Sequence, residues 1–288
     1  NRSGNQLVEY PLPSQTGFTS ITENLQALVQ NTGVEIELRS TNINTRDFSW
    51  QTYGNITIPR NKLVSFPGLA YSSYATSYVI GEPLNLINKY RYLGVDPATG
   101  IYQFEDVNKD GALTAKGDFQ VLGKRDPDFY GGLGNDFQYK GFSCTVFFEF
   151  RHQTGLNYLS DMTTSRSPGR NFNQPVIVLE RWQQPGDIAP IQRFTALNSA
   201  SVIIPASQMI SSNAVYSDAS FLRLKNIAVS YRLPASWQKK IGCSNARIYA
   251  LAQNVLTITG YRGADPETQR LYQLPPLKTL VIGVDLTF

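Results

Sequence analysis

The residues with the most explicit chemistry are Asp106, Asn108 and Asp110, in the run Asp106-Val-Asn-Lys-Asp-Gly111. Side-chain oxygens at positions one, three and five, a glycine at six and a backbone carbonyl at seven are the donors of a Ca²⁺ loop. Here the seventh residue is Ala112. A helical EF-hand carries Glu at position twelve, but that position is Gly117, so the pattern departs from an EF-hand and leaves Asp118 as an extra ligand. Two readings stand: a loop ordered by structural Ca²⁺, or an Asx-rich turn that is merely solvated. In both, the run orders a long loop and performs no reaction.

Other chemistries lack their parts. A single histidine, His152, and two cysteines, Cys144 and Cys243, are too few for a zinc cluster, and their spacing builds no Cys/His dyad. There is no nucleophile elbow, phosphate loop or dinucleotide fingerprint. Gly131-Gly-Leu-Gly134 lies inside a strand pattern, with no helix after it. No convergent pair of carboxylates can be nominated, so the chain is read as not an enzyme. The net charge of +4 is not gathered into a block, which gives no reason to expect nucleic acid.

The elements that must carry these residues are strands. Only 17% of residues are charged and 12% are aromatic, a balance that suits a β-rich protein. No apolar run approaches the roughly 18–20 residues of a membrane helix. Instead, Leu280, Ile282, Val284, Leu286 and Phe288 alternate with Thr279, Val281, Gly283, Asp285 and Thr287. Ten residues of period two match the roughly 9–11 a tilted strand needs to cross a bilayer. Phe142, Cys144, Val146, Phe148 and Phe150 alternate with Ser143, Thr145, Phe147, Glu149 and Arg151 in the same way. The segment 47–58 repeats the pattern, with Phe48 and Trp50 where an interfacial aromatic girdle belongs. Weaker strands follow at 34–39, 130–139, 220–233 and 246–258, the third with a phase change between Leu224 and Ile227 that reads as a bulge.

That makes about seven strands. Tight connections at 42–46 and 140–141 and a moderate one at 234–245 alternate with long loops at about 60–128, 152–218 and 259–278, the habit of outer-membrane barrels. Glu149 and Arg151 fall on the face that would line a wet lumen. They are candidates for touching cargo or a plug, or for an interior ion pair. On this phase Cys144 faces lipid, which argues against a disulfide to Cys243. Seven strands form an open sheet, which cannot sit in lipid with bare edges. The expectation is therefore an all-β transmembrane antiparallel barrel, of which residues 1–288 are the C-terminal portion. The chain begins at Asn1 without Met or signal, so it is expected to be processed or incomplete.

Several segments, in this order, resemble the C-terminal third of the SusC/RagA-like TonB-dependent outer-membrane transporters. They include Leu12-Pro-Ser-Gln-Thr-Gly-Phe18, Asn31-Thr-Gly-Val-Glu-Ile-Glu-Leu38, Asp47-Phe-Ser-Trp50 and Asp106-Val-Asn-Lys-Asp-Gly111. Pro127-Asp-Phe129, Tyr139-Lys-Gly-Phe142, Ala219-Ser-Phe-Leu-Arg-Leu-Lys-Asn226, Gln253-Asn-Val-Leu256, Asp265-Pro-Glu267 and the terminal strand follow. The resemblance implies a barrel of about 22 strands around a plug, the plug lying outside this chain. It also implies location in the bacterial outer membrane, a SusD-like surface lipoprotein as partner, and uptake of glycans or peptides powered through TonB. Phe288 resembles the terminal assembly signal of such barrels. Trp182, with Tyr158, Phe172 and Arg181 nearby in sequence, is a candidate for stacking on a sugar or meeting the lipoprotein, or else packs its own loop. Two alternatives remain: a SusC-like barrel serving as scaffold in secretion or barrel-insertion machinery, and a secreted β carbohydrate-binding or hydrolytic domain.

Overall fold

A computed structural model describes the chain except residues 13, 162–166, 198 and 271–272. Pro13, inside the Leu12–Phe18 segment, thus lies outside the described residues. The chain opens with strands β1 (Arg2–Pro11), β2 (Ser20–Asn44) and β3 (Phe48–Ser65). An excursion follows with β4 (Leu86–Lys89), β5 (Tyr92–Val95), β6 (Tyr102–Phe104), helix α1 (Ala115–Asp118) and β7 (Gln120–Lys124). The chain then returns through β8 (Phe129–Tyr139) and β9 (Phe142–His152). A second excursion carries β10 (Thr154–Leu156), α2 (Ala200–Ile210) and β11 (Tyr216–Asp218). It ends with β12 (Phe221–Arg232), α3 (Ala235–Lys240), β13 (Asn245–Thr259) and β14 (Thr279–Thr287).

Eight strands make one antiparallel sheet in the order β1-β2-β3-β8-β9-β12-β13-β14. The count is one more than the sequence predicts, because β1 lacks clean alternation and its pairing with β2 shifts between Gly4 and Gln6. It pairs only with residues 20–30 of β2, so β2 continues past it and pairs with β3 from there to Asn44. The turn predicted at 42–46 is accordingly shorter, between Asn44 and Phe48. The bulge in β12 is where the phase change placed it: the register shifts between Leu224 and Asn226 against both neighbours. Pro234 caps α3 and Gly242 follows it at φ 72. Cys144 and Cys243 are both free thiols.

Register gives the sheet two unlike faces. One row runs Leu38, Gly54, Leu133, Phe148, Leu224 and Leu256, and another runs Trp50, Phe137, Cys144, Val229, Ala250 and Ile282. These positions are apolar with few exceptions, yet Leu38, Ile282 and Val284 are more than half exposed. At one end this face carries an aromatic row of Phe48, Tyr139, Phe142 and Tyr231. The opposite face is polar, with the row Glu37, Asn55, Gly132, Glu149, Arg223 and Thr257. Period two alone separates the two sets.

Among the described residues the buried apolar side chains gather mostly in the excursions and where the ends of the sheet strands meet them. Tyr90, Tyr102, Phe104, Val178, Ile191, Met209 and Val215 form one cluster that joins the 66–128 and 153–220 segments. Ala27, Val29, Leu63 and Phe66 form a second, where the upper ends of β2 and β3 meet the first excursion. The excursions are thus folded against each other, with small hairpins β4–β7, β5–β6 and β10–β11 of their own.

Candidate functional site

The polar face carries a charged belt on β9 and β12. The bulge in β12 inserts Lys225 as an extra residue, and its Nζ lies 2.8 Å from Glu149 Oε2 and 3.4 Å from Glu267 Oε2. Re-aiming a side chain is a common use of a bulge. Arg151 Nη2 sits 3.9 Å from Glu149 Oε1, with its guanidinium over the Tyr130 ring. Glu149 and Arg151 therefore meet as an ion pair on the polar face, joined by a lysine that the alternation pattern alone does not single out.

Arg223 is the centre of the belt. Its side chain is 1% exposed, yet it binds three side chains at once. Nη2 meets Asp265 Oδ2 at 2.5 Å, Nη1 meets Glu267 Oε2 at 2.5 Å, and Nε donates to Thr257 Oγ1 at 3.0 Å. The forked guanidinium suits two carboxylates held apart. Asp265 in turn accepts the backbone N–H of Glu267 and Thr268 through its other oxygen, which sets the turn that brings Glu267 into reach. Gln153 donates to the Pro266 carbonyl and the Tyr261 hydroxyl to that of Leu156. The segment between β13 and β14 is thereby fastened to the polar face of the sheet and to the second excursion. It leaves a cavity of about 480 Å³ lined by Arg223, Asn254, Thr257, Tyr261 and Lys278 among others. In this belt each carboxylate has a cation and each cation a carboxylate, so the arrangement binds and positions.

The Asp106–Asp118 run is a turn closed by its own backbone. Asp106 accepts N–H bonds from Lys109 and Gly111, Asn108 from Asp110, and Asp110 from Ala112. Asp118, fully buried, accepts from Thr114 at 2.7 Å and Val107 at 2.9 Å. The oxygen donors are of the kind a hard cation takes. Among the described residues, however, no group of three or more His, Cys, Asp or Glu is disposed to hold a metal ion.

The amide of Thr114 foremost, with those of Val107 and Asn108, holds the Asp118 carboxyl below its usual range. A depressed carboxylate stabilises above its unfolded pKa of about 3.9 and loses that contribution as pH falls through the lower folded value. The Val107 and Thr114 amides are thus expected to keep their hydrogen-exchange protection down to pH ~4 and lose it below. Asp118→Ala is expected to abolish it at every pH. Equal exchange in wild type and variant would refute the assignment.

The four loop candidates are not brought together. The Trp182 ring covers Gly100, whose added Cβ would stand 2.4 Å from it, and Nε1 donates to the Pro97 carbonyl. It fastens the two excursions to each other. Arg181 stacks over Phe194 and Tyr158 donates its N–H to Arg262, while Phe172 points outward. Phe288, 84% exposed, follows β14 on the phase of Leu286.

An antiparallel sheet with one apolar and one polar face, and long folded excursions at one end only, is the architecture of part of a large β-barrel wall. The comparisons give the family. The chain is 30% identical over 283 residues to the TonB-dependent receptor P3 of Formosa agariphila, matching 89% of this chain and 27% of that protein. It is 25% identical to the TonB-dependent receptor SusC of Bacteroides thetaiotaomicron, over 96% of this chain and 28% of that one. Its fold matches the structure of the RagAB peptide transporter with a TM-score of 0.79 and 25% identity, over the whole chain and 32% of the other. In the closed-closed and open-open states of the RagAB peptide importer the TM-scores are 0.80 and 0.77. No protein-family model matches. The chain belongs to the SusC/RagA-like TonB-dependent transporters, and it spans about a third or less of the length of the relatives it matches.

Proposed function

We propose that this chain is the C-terminal part of the barrel wall of an outer-membrane importer for glycans or peptides. In this reading residues 1–288 form one stretch of barrel, and the plug belongs to another part of the protein. A SusD-like lipoprotein sits over the excursions and TonB supplies the energy. The observation that supports it best is the two-faced sheet itself. Its apolar face is exposed as only a lipid-facing wall should be, while the polar face offers a hydrated path. With Phe288 at the periplasmic side, all three long excursions open outward and the turns after β2, β8 and β12 face inward. The Arg223 belt then holds the last outer loop against the lumen wall.

The test is uptake by cells carrying the full-length transporter, supplied separately with labelled oligopeptides and labelled oligosaccharides. One class is expected to accumulate, and to cease doing so without TonB. Uptake that is the same with and without this protein would overturn the proposal. So would its isolation with secretion or barrel-insertion subunits in place of a surface lipoprotein.

A further inference from the structure

Above the apolar band, the outward face of the first three strands changes character within two residue pairs. On this face Val34 and Ile58 are the last apolar pair of β2 and β3 before the change; Thr32 and Arg60 come next, then Gln30 and Lys62. Arg2 of β1 lies directly across from Gln30. The three strands thus present Arg2 and Lys62 at one level and Arg60 one same-face step below them, all on one face. Strands lie about 4.8 Å apart and same-face neighbours about 7 Å along a strand, so the three backbone positions lie within roughly 12 Å of one another, a span that long basic side chains can share over one headgroup. All three side chains are exposed, and among the described residues no carboxylate pairs with any of them. That contrasts with the inner belt, where every cation is matched. Arg2 Nε is steadied by Gln30 Oε1 at 3.1 Å and Arg60 Nη1 by the Pro59 and Asp128 carbonyls. The neighbouring carboxylates Glu35 and Glu37 belong to the opposite face.

We propose that Arg2, Arg60 and Lys62 bind the phosphorylated headgroup of an outer-leaflet lipid, whose chains lie along the apolar stripe beneath. The charge is complementary to a phosphate, which arginine forks and lysine ammonium groups bind by charge-assisted hydrogen bonds. The stripe of Val34, Ile36, Leu38, Ile56 and Ile58 runs directly from the cations, with Val34, Ile36 and Leu38 each more than half exposed. A basic cluster continuous with an apolar stripe fits an amphiphile, where a free phosphate would use the cations alone. The proposal rests on the reading that the apolar face meets lipid.

The experiment is lipid retention by the full-length transporter in detergent, followed by native mass spectrometry. The probes are bis-phosphorylated lipid A, phosphatidylcholine and inorganic phosphate. Lipid A is expected to stay bound at concentrations where phosphatidylcholine does not, more strongly at low salt. The triple variant R2E/R60E/K62E is expected to weaken retention at least about tenfold, since each basic group near an anionic lipid surface contributes measurably. Lys109→Glu, on the distant turn, should leave retention unchanged. Equal retention of lipid A by wild type and triple variant overturns the proposal, as does displacement by inorganic phosphate at equal concentration. A protein that stays soluble without detergent would instead sink the underlying membrane reading, whatever it binds.

Discussion

Replacing Arg223 with Met is expected to release the 260–278 segment from the inner wall while the strands stay paired. Among the described residues the guanidinium is the sole cation on Asp265 and shares Glu267 only with Lys225. Methionine keeps much of the volume and removes all three donors. Breaking a buried ion pair by removing one partner costs about 3–5 kcal/mol, because the other charge is left behind. Glu267 is about a third exposed and keeps Lys225, so the lower figure applies. The segment can avoid even that by swinging into water. Local opening rather than global unfolding is then the outcome. A loss of ~3 kcal/mol raises the open population roughly a hundredfold. Trypsin reads it directly, since Arg262, Arg270 and Lys278 all lie in the segment. Wild type is expected to resist cleavage there and Arg223→Met to be cut rapidly. The triple change Arg223→Met with Asp265→Asn and Glu267→Gln should recover part of the resistance, because no buried charge is left unpaired. Identical digestion of wild type and Arg223→Met would show that the ion pairs do not hold the segment.

Which features were legible in the sequence follows from where each strand meets two different environments. β9 and β14 separate apolar from polar residues at period two with one apolar exception each on the polar face, Phe147 and Val281, so their phase and extent could be read without a structure. The upper half of β2 and all of β1 rise above the apolar band, where no single environment lies on each side. What decides their faces is Ala27 and Val29 packing on Leu63 and Phe66 from another segment. That contact carries no local period. The charged belt was half visible for the same reason. Glu149 and Arg151 stood out as charges in an alternating strand, and the bulge was marked by a phase break. Yet Arg223 and Asp265 are 42 residues apart, and nothing in either segment announces the other. Trp182 looked like an open aromatic for a ligand, because the bare spot at Gly100 that receives its ring lies in a different excursion.

The glycines of β8 offer a sharper test of the wall. Alanine at Gly131 is expected to weaken the barrel far more than alanine at Gly132, although the residues are adjacent and in one strand. A Cβ on Gly131 would stand 2.0 Å from the backbone oxygen of Asn55 on β3. That oxygen cannot move without prising β3 from β8 near the Ile56↔Gly131 pair. On Gly132 the Cβ meets only the far edge of the Phe147 ring, at 2.4 Å. A ring at the end of a rotatable side chain can tilt away at less cost than a paired backbone can move. Overpacking costs typically about 1–3 kcal/mol. Gly131→Ala belongs at the top of that range or above it, and Gly132→Ala at or below its bottom. The measure is urea unfolding of the full-length transporter in detergent micelles, with heat-modifiable gel mobility as the check on assembly. Tyr53 and Phe147 stack across Gly134 with ring centroids 6.3 Å apart, so Gly134→Ala should fall between the two, since a Cβ there meets the Tyr53 ring from below. The order Gly131, Gly134, Gly132 is the result that supports close strand approach as the reason for this glycine run. Equal effects at all three would mean that glycine's backbone freedom, and not what each missing side chain makes room for, is what β8 requires.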